Sequence, residues 1–290
     1  MFLQQLINGL MLGSTYSLLA IGYALVSGVL DLVHIAHGEV FMLGAFIGLQ
    51  LVLFAKVNFF VAMLGAMTAT LVLGIFIERA AFRPLQKGDF LSPLISTLGV
   101  ALILQEFARN VFGAHPVGFP ASFQIKSYQL GFLTVSTLHL IIIGLAFAMM
   151  AALHLFLTRT TFGLATRATA ENALTARFMG INVNVVVVAT FAIASAMAGA
   201  AGVLLGLAYN AITPVMGTQI GLKALAIIVL GGFGNITGAM AGGIILGLLE
   251  VMSVAYVSST YRDAFSFGII MLILIIRPTG LFGHRVHSEQ

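Results

Sequence analysis

The stretch FMGINVNVVVVATFAIASAMAGAAGVLLGLAYNAITPVMGTQIGL, residues 178–222, contains no Asp, Glu, Lys or Arg. A helix that crosses a bilayer needs about 20 mostly apolar residues, so this run is long enough for two crossings. One apolar run of about 12 residues would read better as a buried core helix. Here the pattern recurs along the chain. No charge falls between Met1 and Asp31, between Lys56 and Glu78, between Lys126 and Arg159, or between Lys223 and Glu250. Residues 141–152 are continuously apolar, whereas a transmembrane β-barrel alternates over segments of about 10 residues.

Composition agrees with that reading. Of 290 residues, 60% are hydrophobic and only 8% charged, and the mean hydropathy is +1.10. Average globular domains are about 25% charged, so a water-soluble fold of this length could not cover itself. The sequence therefore predicts an all-α polytopic membrane protein, one transmembrane domain over residues 1–290 with eight to ten transmembrane helices. Spans read near 5–30, 38–55, 59–77, 91–112, 132–157, 184–209, 221–234, 237–256 and 262–277. The region 221–256 reads as two short or broken segments. The start, Met1-Phe2-Leu3-Gln4-Gln5, lacks the basic residues of a cleavable leader.

The formal net charge is +4, but the basic residues form no run of the kind that binds nucleic acid. Arg79, Arg83 and Lys87 fall in one polar connection, and Arg159, Arg167 and Arg177 in another. Arg277 and Arg285 lie at the end of the chain, so these three regions hold eight of the 13 Lys+Arg. The positive-inside bias makes them cytoplasmic, with the N-terminus outside and the C-terminus inside. There are no cysteines, hence no disulfide framework and no thiolate metal site.

Glycine is abundant, 32 residues, against about 7% in average proteins. Gly234, Gly238 and Gly242 recur every fourth residue, and Gly202 and Gly206 continue a small-residue ridge from Ala194 and Ala198. This spacing puts small residues on one helix face and lets backbones approach closely. Tight packing is their expected role. Two stretches, 31–39 and 231–238, read as interrupted membrane segments and make a faint internal repeat, as transporters often carry.

His34, His37 and Glu39 raise three readings: a metal site, a proton relay, and a polar turn at the membrane edge. The spacing does not match the His-Glu-x-x-His of zinc peptidases, which favours the turn. Glu106 and Arg109 share a helix face and are spaced to pair. The chain has no Gly-x-x-x-x-Gly-Lys-Ser/Thr phosphate loop and no Gly-x-Ser-x-Gly nucleophile elbow. Its energy must come from a partner, or it is a passive channel for a small neutral solute. An intramembrane hydrolase is a more distant reading, because it needs a nucleophile and base and no such pair is recognisable.

Several blocks carry a resemblance. They are Asn8-Gly9-Leu10-Met11-Leu12-Gly13-Ser14-Thr15-Tyr16, Ala36-His37-Gly38-Glu39, Glu78-Arg79 before Phe82-Arg83-Pro84-Leu85, and Met179-Gly180-Ile181-Asn182. Leu230-Gly231-Gly232-Phe233-Gly234 and Arg277-Pro278-Thr279-Gly280-Leu281-Phe282-Gly283 complete the set. In this order and spacing the chain resembles, nearly end to end, the permeases of bacterial ABC importers for branched-chain amino acids, the LivH type. One departure is His34, where that family usually has Asn.

The resemblance implies a multi-pass permease of the cytoplasmic (inner) membrane. Its implied partners are a second homologous permease, two cytoplasmic ATPase subunits, a periplasmic substrate-binding protein and membrane lipid, with no nucleic acid and no cofactor. It implies that residues 158–183 form a cytoplasmic coupling loop, with Arg167, Glu171, Thr175, Ala176, Arg177 and Gly180 meeting the ATPase. Leu174 stands where the familiar motif has Glu. The implied substrates are branched-chain amino acids, with urea, short amides or other amino acids as alternatives. Ser14, Thr15, His37, Gly38, Asn235 and Thr237 are candidates for the substrate path.

Overall fold

The computed structural model describes residues 2–85, 91–120, 123–131 and 133–282. Lys87 of the first basic connection and Arg285 near the end of the chain lie outside these residues. Nine apolar helices occupy the nine expected positions among the described residues. They are α1 (Phe2–Leu30), α2 (His37–Leu53), α3 (Phe59–Ile77), α4 (Leu91–Phe112), α5 (Thr137–Arg159), α8 (Val183–Tyr209), α9 (Met216–Gly231), α10 (Ile236–Tyr256) and α11 (Arg262–Ile276). Two short helices, α6 (Thr161–Glu171) and α7 (Ala173–Phe178), fill the connection between α5 and α8. Among the described residues, six helices are long and apolar enough to cross a membrane: α1, α3 with its extension to Leu85, α4, α5, α8 and α10. The others of the nine are shorter.

Two boundaries differ from the sequence reading by more than three residues. The fifth span begins at Thr137 because the preceding residues form an antiparallel hairpin, β1 (Ser127–Leu130) with β2 (Leu133–Ser136). Ser136 then caps α5, its Oγ accepting from the backbone N–H of His139 while His139 Nδ1 accepts from the N–H of Ser136. This exchange satisfies donors that a helix start leaves orphaned. The seventh helix begins at Met216 rather than 221, directly after Thr213-Pro214-Val215. Proline is tolerated only at the start of a helix, so the helix opens just beyond it.

α1 and α8 form the interior and are buried along most of their length, whereas α3, α4, α5 and α10 each expose a broad apolar face. Small residues set the closest crossings. A Cβ on Gly13 of α1 would lie 2.8 Å from Ile244 Cα of α10. On Gly202 it would lie 3.0 Å from Ala45 N of α2, and on Gly206 3.0 Å from Ile212 Cδ1. A Cβ on Gly234 would lie 3.0 Å from Gly28 Cα, one on Gly238 would run into the backbone of Gly231, and one on Gly242 would lie 3.1 Å from Ile227 O. Between apolar helices in lipid, such contact replaces the hydrophobic drive that water would supply.

The helices form two units of one build, α1–α2–α3 and α8–α9–α10. Each has a long helix, a six-residue break, a short helix and another long helix. The breaks are 31–36 and 210–215, and the short helices have 17 and 16 residues. Gly9 meets Leu248 and Ser17 meets Met240, so α10 runs against α1. Tyr209 at the end of α8 bonds Arg262 just past the end of α10, so α8 also runs against α1. The two units are therefore inverted relative to each other. Matching positions are 179 residues apart, the separation of Glu39 and Thr218. At that offset Asp31 (φ 54°) matches Asn210 (φ 47°), both left-handed, and Gly38 matches Gly217. The partner of 31–39 is thus 210–218. The segment 231–238 is the turn that joins α9 to α10.

Candidate functional site: a cavity where two short helices begin

The first turns of α2 and α9 cross at glycine. A Cβ on Gly217 would lie 2.9 Å from Gly38 O, and one on Gly38 would lie 2.9 Å from Gly221 Cα. Only hydrogen fits at either position. The crossing sits halfway along the bundle. Gly22 of α1 lies against both His37 and Ala194 O, and Ala194 is near the middle of α8. The other wall is Leu98 to Gln105, the middle of α4. α2 runs alongside α8, with Gly44 at Gly199 and Gly48 at Val203, while α9 runs against α10. The two short helices therefore start in the interior and leave toward opposite ends. Non-helical backbone at such depth persists where it is buried in protein or lines a cavity.

A cavity of ≈ 340 Å³ lies at this crossing. Leu98, Ala101, Leu102, Leu222 and Leu225 give it an aliphatic wall, and Tyr23, Glu39, Gln105, Thr218 and Gln219 give it polar groups. Glu39 is buried, and its Oε1 accepts a 2.7 Å hydrogen bond from Thr218 Oγ1. Its Oε2 has no hydrogen-bond partner, and among the described residues Glu39 makes no ion pair. Neither helix is capped by the side chain before it, Ala36 for α2 and Val215 for α9. The first N–H groups of a helix carry a partial positive charge. The site thus pairs helix amino termini and one carboxylate with an aliphatic wall.

A model of the family described as "Branched-chain amino acid transport system / permease component" matches residues 5–274. The chain belongs to this permease family. It is 39% identical to the high-affinity branched-chain amino acid transport system permease protein LivH of Escherichia coli (strain K12), over 97% of this chain and 96% of that protein. It is 38% identical to the corresponding BraD protein of Pseudomonas aeruginosa, with the same coverage. PsaBC from Streptococcus pneumoniae, solved with a Fab, shares the fold at a TM-score of 0.50 and 14% identity, covering 96% of this chain and 92% of that one. The permease is accordingly a multi-pass membrane transport subunit that works with other transporter components.

The path residues expected from the sequence fall in three places in this permease. His37 and Gly38 lie at the crossing, but the His37 ring turns away into α1 and packs edge-on against Tyr23, centroids 4.5 Å apart. Ser14 and Thr15 are buried in α1 and bond back to their own helix, to Met11 O at 2.8 Å and Leu12 O at 2.7 Å. Asn235 caps α10, with Oδ1 accepting from Gly238 N and Nδ2 donating to Phe282 O. Thr237 lines a separate cavity with His154 and Arg167. His34 is also buried, its ring 5.0 Å from that of Phe191.

In the connection expected to be the coupling loop, Arg167 and Glu171 lie on α6, and Thr175, Ala176 and Arg177 on α7. Ala176 is buried and the other four are exposed. Asn172 Oδ1 accepts from Thr175 N at 2.9 Å and so caps α7. Gly180 ends the helix at φ +84°, a conformation that costs glycine nothing and an L-residue about 1 kcal/mol or more.

Two groups of residues do not stand out in the sequence as site residues. Tyr23, Gln105, Thr218 and Gln219 come to the cavity from three helices. The repeat at an offset of 179 residues, the separation of Glu39 and Thr218, is the signal that would have found Thr218. The second group is a buried ion network. Glu250 Oε1 accepts from Lys223 Nζ at 3.0 Å, from Tyr16 OH at 3.1 Å and from Arg262. Lys223 also pairs with Asp263 at 2.7 Å. Glu106 and Arg109 pair at 2.6 Å on the exposed face of α4.

Proposed function

We propose that this permease is the membrane subunit of an ATP-driven ABC importer of the bacterial cytoplasmic membrane, and that it carries branched-chain amino acids. It works with a second homologous permease, two cytoplasmic ATPase subunits and a periplasmic substrate-binding protein. Residues 158–183 form its coupling loop.

The observation that carries this reading is the tip of that loop. Phe178 is 83% and Met179 76% exposed, and Leu174 stands beside them on the same tip. They occupy the end of a six-residue helix that is capped at Asn172 and closed at Gly180. A short polar connection gains nothing by presenting three large apolar side chains to water, whereas a groove on a partner would bury them. Arg177 stands on the tip, and Arg167 is exposed on the adjoining α6; both suit acidic groups on a partner. α6 packs on α1, α5 and α8, so movement of the tip reaches the helices of the core. The substrate class rests on the names of the relatives and on the aliphatic wall of the cavity.

The test is co-purification from native membranes in mild detergent. The wild-type chain retains two ATPase subunits and a second permease. Phe178→Glu and Ala176→Trp variants stay monodisperse but lose the ATPase. Recovery of the wild-type chain alone, conducting solute without ATP, would overturn the reading in favour of a passive channel.

A further inference from the structure

We propose that Glu39 receives the ammonium group of the transported aliphatic amino acid inside the cavity at the α2–α9 crossing; this rests on the importer reading above. Four observations converge on it.

The first is the state of the carboxylate. Glu39 is only 3% exposed, yet among the described residues it has one hydroxyl donor and no cation paired with it. Buried charges are normally paired. Glu250 follows that rule, ringed by Lys223, Arg262 and Tyr16. Glu39 Oε2 is buried without a hydrogen-bond partner, and Glu39 lines a cavity large enough for a small solute. An ammonium supplies the missing positive charge and up to three donors.

The second is the wall. Leu98, Leu102, Leu222 and Leu225 face the same space, so a branched aliphatic side chain is accommodated while the charged end stays at the crossing. The third is the pair of helix starts. The amino termini of α2 and α9 lie beside Glu39 without side-chain caps, and their N–H groups favour an anion. An amino acid carries a cation and an anion one carbon apart, which suits a carboxylate set next to helix amino termini. The fourth is position. The residue matching Glu39 in the inverted unit is Thr218, its own hydrogen-bond partner, so the carboxylate sits on the pseudo-twofold axis. A ligand held there is equidistant from the two units that must rock against each other to expose it on alternate sides.

The experiment uses the full complex in proteoliposomes with its binding protein, ATP and radiolabelled leucine, isoleucine, valine or urea. Glu39→Gln keeps the shape and still accepts from Thr218 but removes the charge. Leucine uptake is expected to fall at least tenfold. Glu39→Asp recovers part of it. Ala101→Phe fills the cavity from the α4 side and leaves the Glu39 side chain unchanged, and uptake again falls at least tenfold. The ATPase pull-down shows that each variant is assembled.

Leucine uptake by Glu39→Gln, or by Ala101→Phe, within twofold of wild type would overturn the inference while leaving the importer reading intact. A wild-type complex that moves urea but none of the three amino acids would overturn both. If Glu39→Gln does not assemble, Ala101→Phe decides the question alone.

Discussion

Lys223 Nζ lies 3.0 Å from Glu250 Oε1, and both side chains are buried. The pair joins α9, one of the two short helices, to α10. Arg262 and Asp263 at the start of α11 extend it, so two acids and two bases meet at one place. Tyr16 from α1 and Tyr209 from α8 complete the ring. Five helices are thereby tied together around the buried Lys223–Glu250 pair, with Asp263 at the exposed rim.

Breaking the pair from one side leaves an uncompensated charge, which in buried pairs costs about 3–5 kcal/mol. Lys223→Met alone and Glu250→Gln alone are each expected to lower the melting temperature of the purified permease in detergent. The Lys223→Met/Glu250→Gln double variant should be less destabilised than the sum of the two. Strict additivity in a double-mutant cycle would show that the two residues do not act as a pair.

The glycine crossing gives a sharper contrast. Gly38→Val places branched carbons against the backbone of Gly217 and Gly221, and overpacking of this kind costs about 1–3 kcal/mol or more. At Gly144 on α5, a methyl group would meet nothing within 4 Å. Gly144→Ala is expected to leave stability unchanged or raise it by up to about 1 kcal/mol. Thermal unfolding of both variants, followed by the loss of monodisperse protein on size exclusion, separates them.

The cap of α7 is a local device. Asn172→Ala removes the side-chain acceptor for Thr175 N, a loss of about 1 kcal/mol. A helix of six residues has little else to hold it, so amide exchange at Thr175, Ala176 and Arg177 should speed up about fivefold, the factor that about 1 kcal/mol corresponds to. The melting temperature of the bundle should not move. Equal exchange rates in the variant and the wild type would mean that the cap does not hold this helix.

Much of this molecule is legible from the order of its residues. Long apolar runs with few charges place the nine apolar helices to within a few residues, because a segment facing lipid has no water to hydrate charge and must satisfy its backbone internally. The clustering of Arg159, Arg167 and Arg177 marks the connection that forms α6 and α7. The pairing of Glu106 with Arg109 follows from helix periodicity alone. The break at 31–39 shows in its glycine and polar residues, and the family follows from the order of short blocks along the chain.

What the sequence by itself does not determine is which breaks meet. The stretch 31–39 reads as a match for the glycine-rich 231–238, whereas its structural counterpart is 210–218, where Asn210 and Gly217 are the visible traces. Inverted units pack by shape, so matching positions need share only a small residue or a left-handed turn, and little sequence identity survives. The surroundings of Glu39 and Glu250 are likewise decided only in three dimensions. Both are carboxylates in apolar stretches, but Glu250 has cations from α9 and α11 beside it, and among the described residues Glu39 pairs with none. That difference depends on which helices cross at each carboxylate, and helix crossing is a property of the packed chain.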